Sequence, residues 1–102
     1  MDQKVSFGIR NDRTRPHVVW IEPWGGDYTI LPGQQMMVTV LDPHTKNDQW
    51  LTLVETEYNT QVFVEPGEYP EIQLDGCVVE EGHNRQAAIS AGVYVDASNY
   101  KG

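Results

Sequence analysis

The residues able to carry chemistry are few: a single cysteine, three histidines and fifteen carboxylates in a chain of 102 residues. Cys77 and His83, with His17 or His44 upstream, offer the thiolate and imidazoles of a mononuclear copper site, but no methionine follows His83 as a soft axial ligand. Zinc would need paired ligands at short spacing, and these side chains stand on separate segments. Calcium has better donors, with Asp42, Asn47 and Asp48 in one loop and Glu65, Glu68 and Glu71 in another. Neither loop has the alternating acids followed by glycine that wrap around the ion. The reading is no metal and no cofactor. Ser6, Ser90 and Ser98 lack a nucleophile elbow, and Cys77 lies beside acids rather than the cations that activate a thiol. Paired carboxylates of the glycosidase kind are defined by separation in space, and a domain this small has little room for a substrate cleft. Binding is therefore expected, not catalysis.

Aromatic side chains are the remaining candidates. Trp20, Trp24 and Trp50 accompany five tyrosines, and aromatics concentrate both in cores and at binding hot spots. Trp20 and Trp50 fall inside strand patterns and are expected in the core. Trp24 sits in a turn between Pro23 and Gly25-Gly26, so its ring either folds back as a plug or projects as an anchor. With Tyr28, Tyr58, Tyr69, Glu65 and Glu68 it makes the candidate binding surface.

Charge sharpens the choice of partner. The formal net charge is −8, and the excess is confined to the second half. Between Asn47 and Asn84 there is no Lys or Arg, while Asp48, Glu55, Glu57, Glu65, Glu68, Glu71, Asp75, Glu80 and Glu81 accumulate. Such a surface aids solubility and repels phosphate backbones and anionic membranes, so neither nucleic acid nor membrane is an expected partner. It suits a basic protein partner. Arg10, Arg13 and Arg15 form the single cationic cluster; they make either a solvated tip or the half of a homodimer contact that meets the acidic half of a second copy.

The elements that must position these side chains are strands. Val5, Phe7 and Ile9 alternate with polar neighbours, and residues 11–16 carry the Asn, Asp and Pro of a turn. Residues 17–22 follow as a strand in which Val18, Val19, Trp20 and Ile21 are apolar without a break, so both of its faces are expected to be covered. Pro23 and Gly25-Gly26 end it and turn the chain. Residues 28–31 are a short strand, Pro32-Gly33 has the residues of a type II turn, and 35–41 extends again. Further strands are read at 50–55, 61–65, 71–74, 77–80 and 92–96, and residues 84–91 admit one short helix. Seven to nine short strands at this spacing predict one all-β domain over residues 1–102, a small antiparallel β-sandwich or partly open barrel. The absence of a basic, then apolar, leader and the lone cysteine point to a cytoplasmic protein.

A faint echo links Val19-Trp20-Ile21-Glu22-Pro23 with Val62-Phe63-Val64-Glu65-Pro66, each followed by Gly, an acid and Tyr. Two copies support pseudo-symmetric sheets only weakly, because a strand ending in Glu-Pro-Gly is also a simple way to stop. The segment 22–33, with Glu22, Pro23, Trp24, Gly25, Asp27, Tyr28, Pro32 and Gly33, resembles one found near the N-termini of short bacterial proteins: a strand, E-P-W-G, a short acidic-aromatic strand, P-G and another strand. The resemblance brings no activity with it; it implies a β-sandwich and a bacterial or phage origin. The resulting expectation is a bacterial, phage or mobile-element accessory protein that binds a protein partner through an acidic, aromatic-rich surface. The alternative is a small-ligand or carbohydrate module that stacks its ligand on Trp24 and nearby tyrosines.

Overall fold

The computed structural model describes residues 4–41, 50–65 and 68–94. They form β1 (Lys4–Arg10), β2 (His17–Glu22), β3 (Gly26–Ile30), β4 (Gln35–Leu41), β5 (Leu51–Glu55), β6 (Asn59–Val64), β7 (Glu71–Leu74), β8 (Cys77–Val78) and a short helix α1 (Arg85–Ser90). Two four-stranded sheets result, ordered β1-β4-β7-β8 and β3-β2-β6-β5. The fold is all-β, as the alternation predicts, and its two separate sheets make it a sandwich.

Period-two patterning decides which side chains meet between the sheets. In the first sheet Phe7 lies opposite Val38 and Ile9 opposite Met36, while β7 sets Ile72 beside Val38 and Leu74 beside Met36. These face Val19, Ile21, Ile30, Val62 and Val64 of the second sheet in one core. Two turns match their residues. Gln34 N–H donates to the Leu31 carbonyl at 3.0 Å around Gly33, whose φ is +83°, as a type II turn requires. Asp75 and Gly76, at φ 48° and 87°, close the β7–β8 hairpin in the doubly left-handed geometry that fits strand twist.

The strands are not all antiparallel. β2 and β6 run parallel, with Ile21 beside Val62 and Glu22 beside Phe63. After β3 the chain crosses to the other sheet as β4, then returns as the β5–β6 hairpin, and β6 enters next to β2 in the same direction. The two copies of the sequence echo thus lie side by side. They are slipped by two residues, which keeps their alternation on the same faces.

The unbroken apolar run in β2 is covered on both sides. Its inward residues join the core, and Val18 and Trp20 on the outer face pack under Ala88 and Val93, flanked by Tyr58 and Tyr94. No strand forms over 92–94; the expected strand at 92–96 is replaced there by a segment that buries Val93 without joining a ladder, and residues 95–96 lie outside the described part. Asp27, opposite Trp20 on β3, is buried on this outer face. Arg85 of α1 meets it with two hydrogen bonds, Nε to Oδ2 at 2.9 Å and Nη2 to Oδ1 at 2.6 Å. A buried carboxylate needs such a partner, so the pair fixes the cover to the sheet. Replacing Arg85 by Ala strands that carboxylate and is expected to cost about 2 kcal/mol in denaturant unfolding, with most of the loss recovered by adding Asp27→Asn. A cost unchanged by Asp27→Asn would show the pair to be unimportant.

At the other end of β2, His17 is fully buried and its Nε2 meets Thr60 Oγ1 at 2.8 Å. Burial, then the nearby Arg13 and Arg15, lower its pKa from 6.5 to about 4. The folded state therefore holds neutral imidazole where the unfolded chain takes up a proton. Stability is expected to be complete above about pH 6.5 and to fall by up to about 3 kcal/mol as pH drops towards 4. Unfolding midpoints measured between pH 7.5 and 5.5 should show this slope, and His17→Gln should flatten it.

Candidate functional site

Where the β3 edge of one sheet meets the β7–β8 edge of the other, the sandwich opens into a groove of about 530 Å³. Ile72, Val78 and Val79 give it apolar lining, with Val78 largely exposed, and Tyr28, Tyr69, Glu71, Glu80 and Glu81 line the rest. β3 places Tyr28 by pairing it with Val19. Tyr69 stands just before β7, and its hydroxyl meets that of Tyr28 at 2.7 Å. The groove's position is fixed by backbone as well: Gly82 N–H donates to the Asp27 carbonyl at 2.7 Å and Thr29 N–H to the His83 carbonyl at 2.9 Å, which ties the segment after Glu80-Glu81 to the β3 edge.

Trp24 projects from the β2–β3 turn and leans on Tyr69, ring centroids 5.1 Å apart and planes at 59°. It is 38 % exposed, so it is neither a buried plug nor a free anchor. One side of the indole supports Tyr69, and the remainder faces solvent. Gly26 explains how two tyrosines fit so tightly: a Cβ there would collide with the Tyr69 hydroxyl and the Glu81 carboxylate.

Both phenols are held above their ordinary pKa. For Tyr69 the largest cause is burial, followed by the hydrogen bond with Tyr28 and the charge of Glu81; for Tyr28 burial again leads, opposed by the bond to Tyr69 and reinforced by Glu81, Asp27 and Glu80. They stay protonated at neutral pH. Their chemistry is that of hydrogen-bonding, ring-bearing walls under a negative rim.

The structure thus divides the residues singled out from the sequence. Trp24, Tyr28 and Tyr69 come together. Tyr58 does not join them: it lies near the start of β2, where its carbonyl accepts from Val18 N–H at 3.3 Å and its ring sits 5.0 Å under Arg15, a strand length of roughly 20 Å from Trp24. Glu65 borders a separate, smaller hollow of about 270 Å³ with Pro23, Thr52 and Phe63, and Glu68 is exposed next to Tyr69. Glu71, Glu80 and Glu81 take their place at the groove. Of the tip arginines, Arg10 pairs with Asp12 at 2.8 Å and Arg15 with Glu57 at 3.4 Å. Cys77 is exposed on β8. Glu65, Glu68 and Glu71 do not converge on a cation position, and among the described residues no three His, Cys, Asp or Glu side chains do; the candidate loop 42–48 lies outside those residues. No helix among the described residues is long and apolar enough to cross a membrane.

No family model, curated protein or solved structure matches the chain. The geometry therefore carries the functional argument by itself. Gly26→Ala is expected to displace Tyr69 and Glu81, lowering stability by about 1–3 kcal/mol, the range of an overpacked site, and shifting tryptophan emission as Trp24 loses its support. An unchanged emission spectrum and unfolding midpoint would show that these side chains are not closely held.

Proposed function

We propose that the protein acts by binding rather than catalysis, taking a basic segment of a protein partner into the groove between β3 and β7–β8. The observation that carries this reading is the groove's make-up: apolar side chains, two neutral tyrosines and three carboxylates at one open site. A lysine or arginine side chain needs that combination, an apolar wall for its methylenes, a ring face and a carboxylate for its head group. The nearest cation in sequence, Arg85, is engaged by Asp27 and acts on Glu81 only through space, which leaves Glu71 and Glu80 to an incoming charge. The accessory role in a bacterium, phage or mobile element belongs to the same proposal, resting on the strand-E-P-W-G segment.

The carbohydrate alternative draws on Trp24. A stacking platform needs an open ring face, and this ring leans on Tyr69. The basic-segment reading fits the groove better, and on it added sugars leave tryptophan emission unchanged.

Fluorescence anisotropy with a labelled arginine- and lysine-rich peptide tests the proposal. Glu80→Lys is expected to weaken binding about tenfold, near 1.4 kcal/mol, whereas Glu57→Lys, an equal change in net charge at the far end, should change it less than about twofold. Equal losses from the two variants would mean that bulk charge alone attracts the peptide, and the groove would lose its role.

A further inference from the structure

The sandwich has four sheet edges, and they are unequal. β3 is covered by the backbone bonds from residues 82 and 83, and β8 is only two residues long. β1 carries Lys4 and Arg10 at its ends, charges of the kind that keep an edge from pairing. Among the described residues no other segment covers β5, and its only charge is Glu55 at one end. Its sequence is Leu51-Thr52-Leu53-Val54-Glu55, with no Pro, Lys or Arg. Leu53 is 50 % exposed and Val54 41 %.

Register shows what this edge offers. Glu65 N–H bonds to the Trp50 carbonyl and Thr56 N–H to the Asn59 carbonyl, so the even residues of β5 spend their backbone groups on β6. By the alternation of an antiparallel ladder, Leu51, Leu53 and Glu55 direct their N–H and C=O groups outward. An outward set centred on Leu53 is self-complementary.

We propose that β5 pairs with β5 of a second copy, antiparallel about a two-fold axis at Leu53. Leu53 then lies beside its own counterpart, Leu51 beside Glu55 and Thr52 beside Val54. The single charge of the strand supports this arrangement: antiparallel pairing separates the two Glu55 carboxylates to opposite ends, while a parallel pairing would set them side by side. Leu53 also shares its face with Val62, a core residue, so the contact extends the apolar row of one protomer into the other. Two four-stranded sheets become a continuous one. The contact involves neither the tip arginines nor the groove between β3 and β7–β8.

Sedimentation across a concentration series tests the pairing. The mass is expected to rise to twice that of the chain and to be insensitive to salt, while Leu53→Lys stays monomeric with the melting temperature that wild type has when dilute enough to be monomeric. A wild-type mass that never exceeds one chain overturns the proposal, as does a dimer that persists in Leu53→Lys. Register is tested independently in a Cys77→Ser background. Mixing Thr52→Cys with Val54→Cys protein should give a disulfide-linked dimer under mild oxidation, and either variant alone should give far less. Equal cross-linking in all three samples, or none in the mixture, would rule out the two-fold register.

Discussion

Everything else in this small sandwich depends on burying β2 from both sides. Its six residues are all inaccessible, and one sheet-to-sheet core can account for only half of them, because successive side chains point to opposite faces. The outward half, with Trp20 at its centre, has to be covered by chain that is not a sheet. That task falls to α1 and Val93. A helix of six residues without a side-chain N-cap has little stability of its own. Its hold on the sheet combines the Arg85–Asp27 pair, the backbone bonds from Gly82 and His83 to β3, and the packing of Ala88 and Val93 on Val18 and Trp20.

The same strand organises the topology. With β2 internal, the sheet grows on both sides of it, β3 by a short hairpin and β6 by a long excursion through the opposite sheet. That excursion produces the parallel pair and carries the chain from β6 straight into Tyr69 and β7. The groove follows from this route: Tyr28 arrives from the hairpin, Tyr69 from the returning chain, and Glu80-Glu81 from the hairpin beyond. Tyr28 is remote in sequence from the other two, which stand at either end of the β7–β8 hairpin. The hydroxyl contact between Tyr28 and Tyr69 records where they converge.

This explains which features were legible in the sequence. Strand positions from β1 to β7 follow from alternation and from Pro and Gly punctuation, both local properties, and the double burial of β2 follows from its unbroken apolar run. The parallel pairing of β2 with β6 could not be read, since alternation fixes faces and leaves neighbours open. Residues 92–96 alternate like a strand, yet Val93 buries its side chain with no ladder partner; hydrophobic burial asks for contact, whereas a strand asks for a free edge, and His83 already occupies that of β3. Tyr58 and Trp24 seemed natural companions by type, but they flank opposite ends of one strand. Glu80 and Glu81 were visible as charge and invisible as a site, because only the folded hairpin brings them to the tyrosines.

Distribution of charge over the folded surface adds a last constraint. The tip arginines Arg10 and Arg15 meet Asp12 and Glu57 within their own end of the sandwich, and Arg85 meets Asp27 on the outer face. The positive charge of the described chain is thereby largely neutralised close to where it arises, while the carboxylates around Tyr28 and Tyr69 have no lysine or arginine among the groove's walls. If the groove takes a basic segment as proposed, these carboxylates draw it in over about a Debye length, roughly 8 Å at physiological salt, before any ring is touched. The tyrosines act only at contact, and they are neutral there because burial and neighbouring acids oppose their ionisation. On the proposed reading, the carboxylates govern the rate of encounter and the paired phenols, held in place by Trp24 and by the missing side chain at Gly26, govern how long the partner remains.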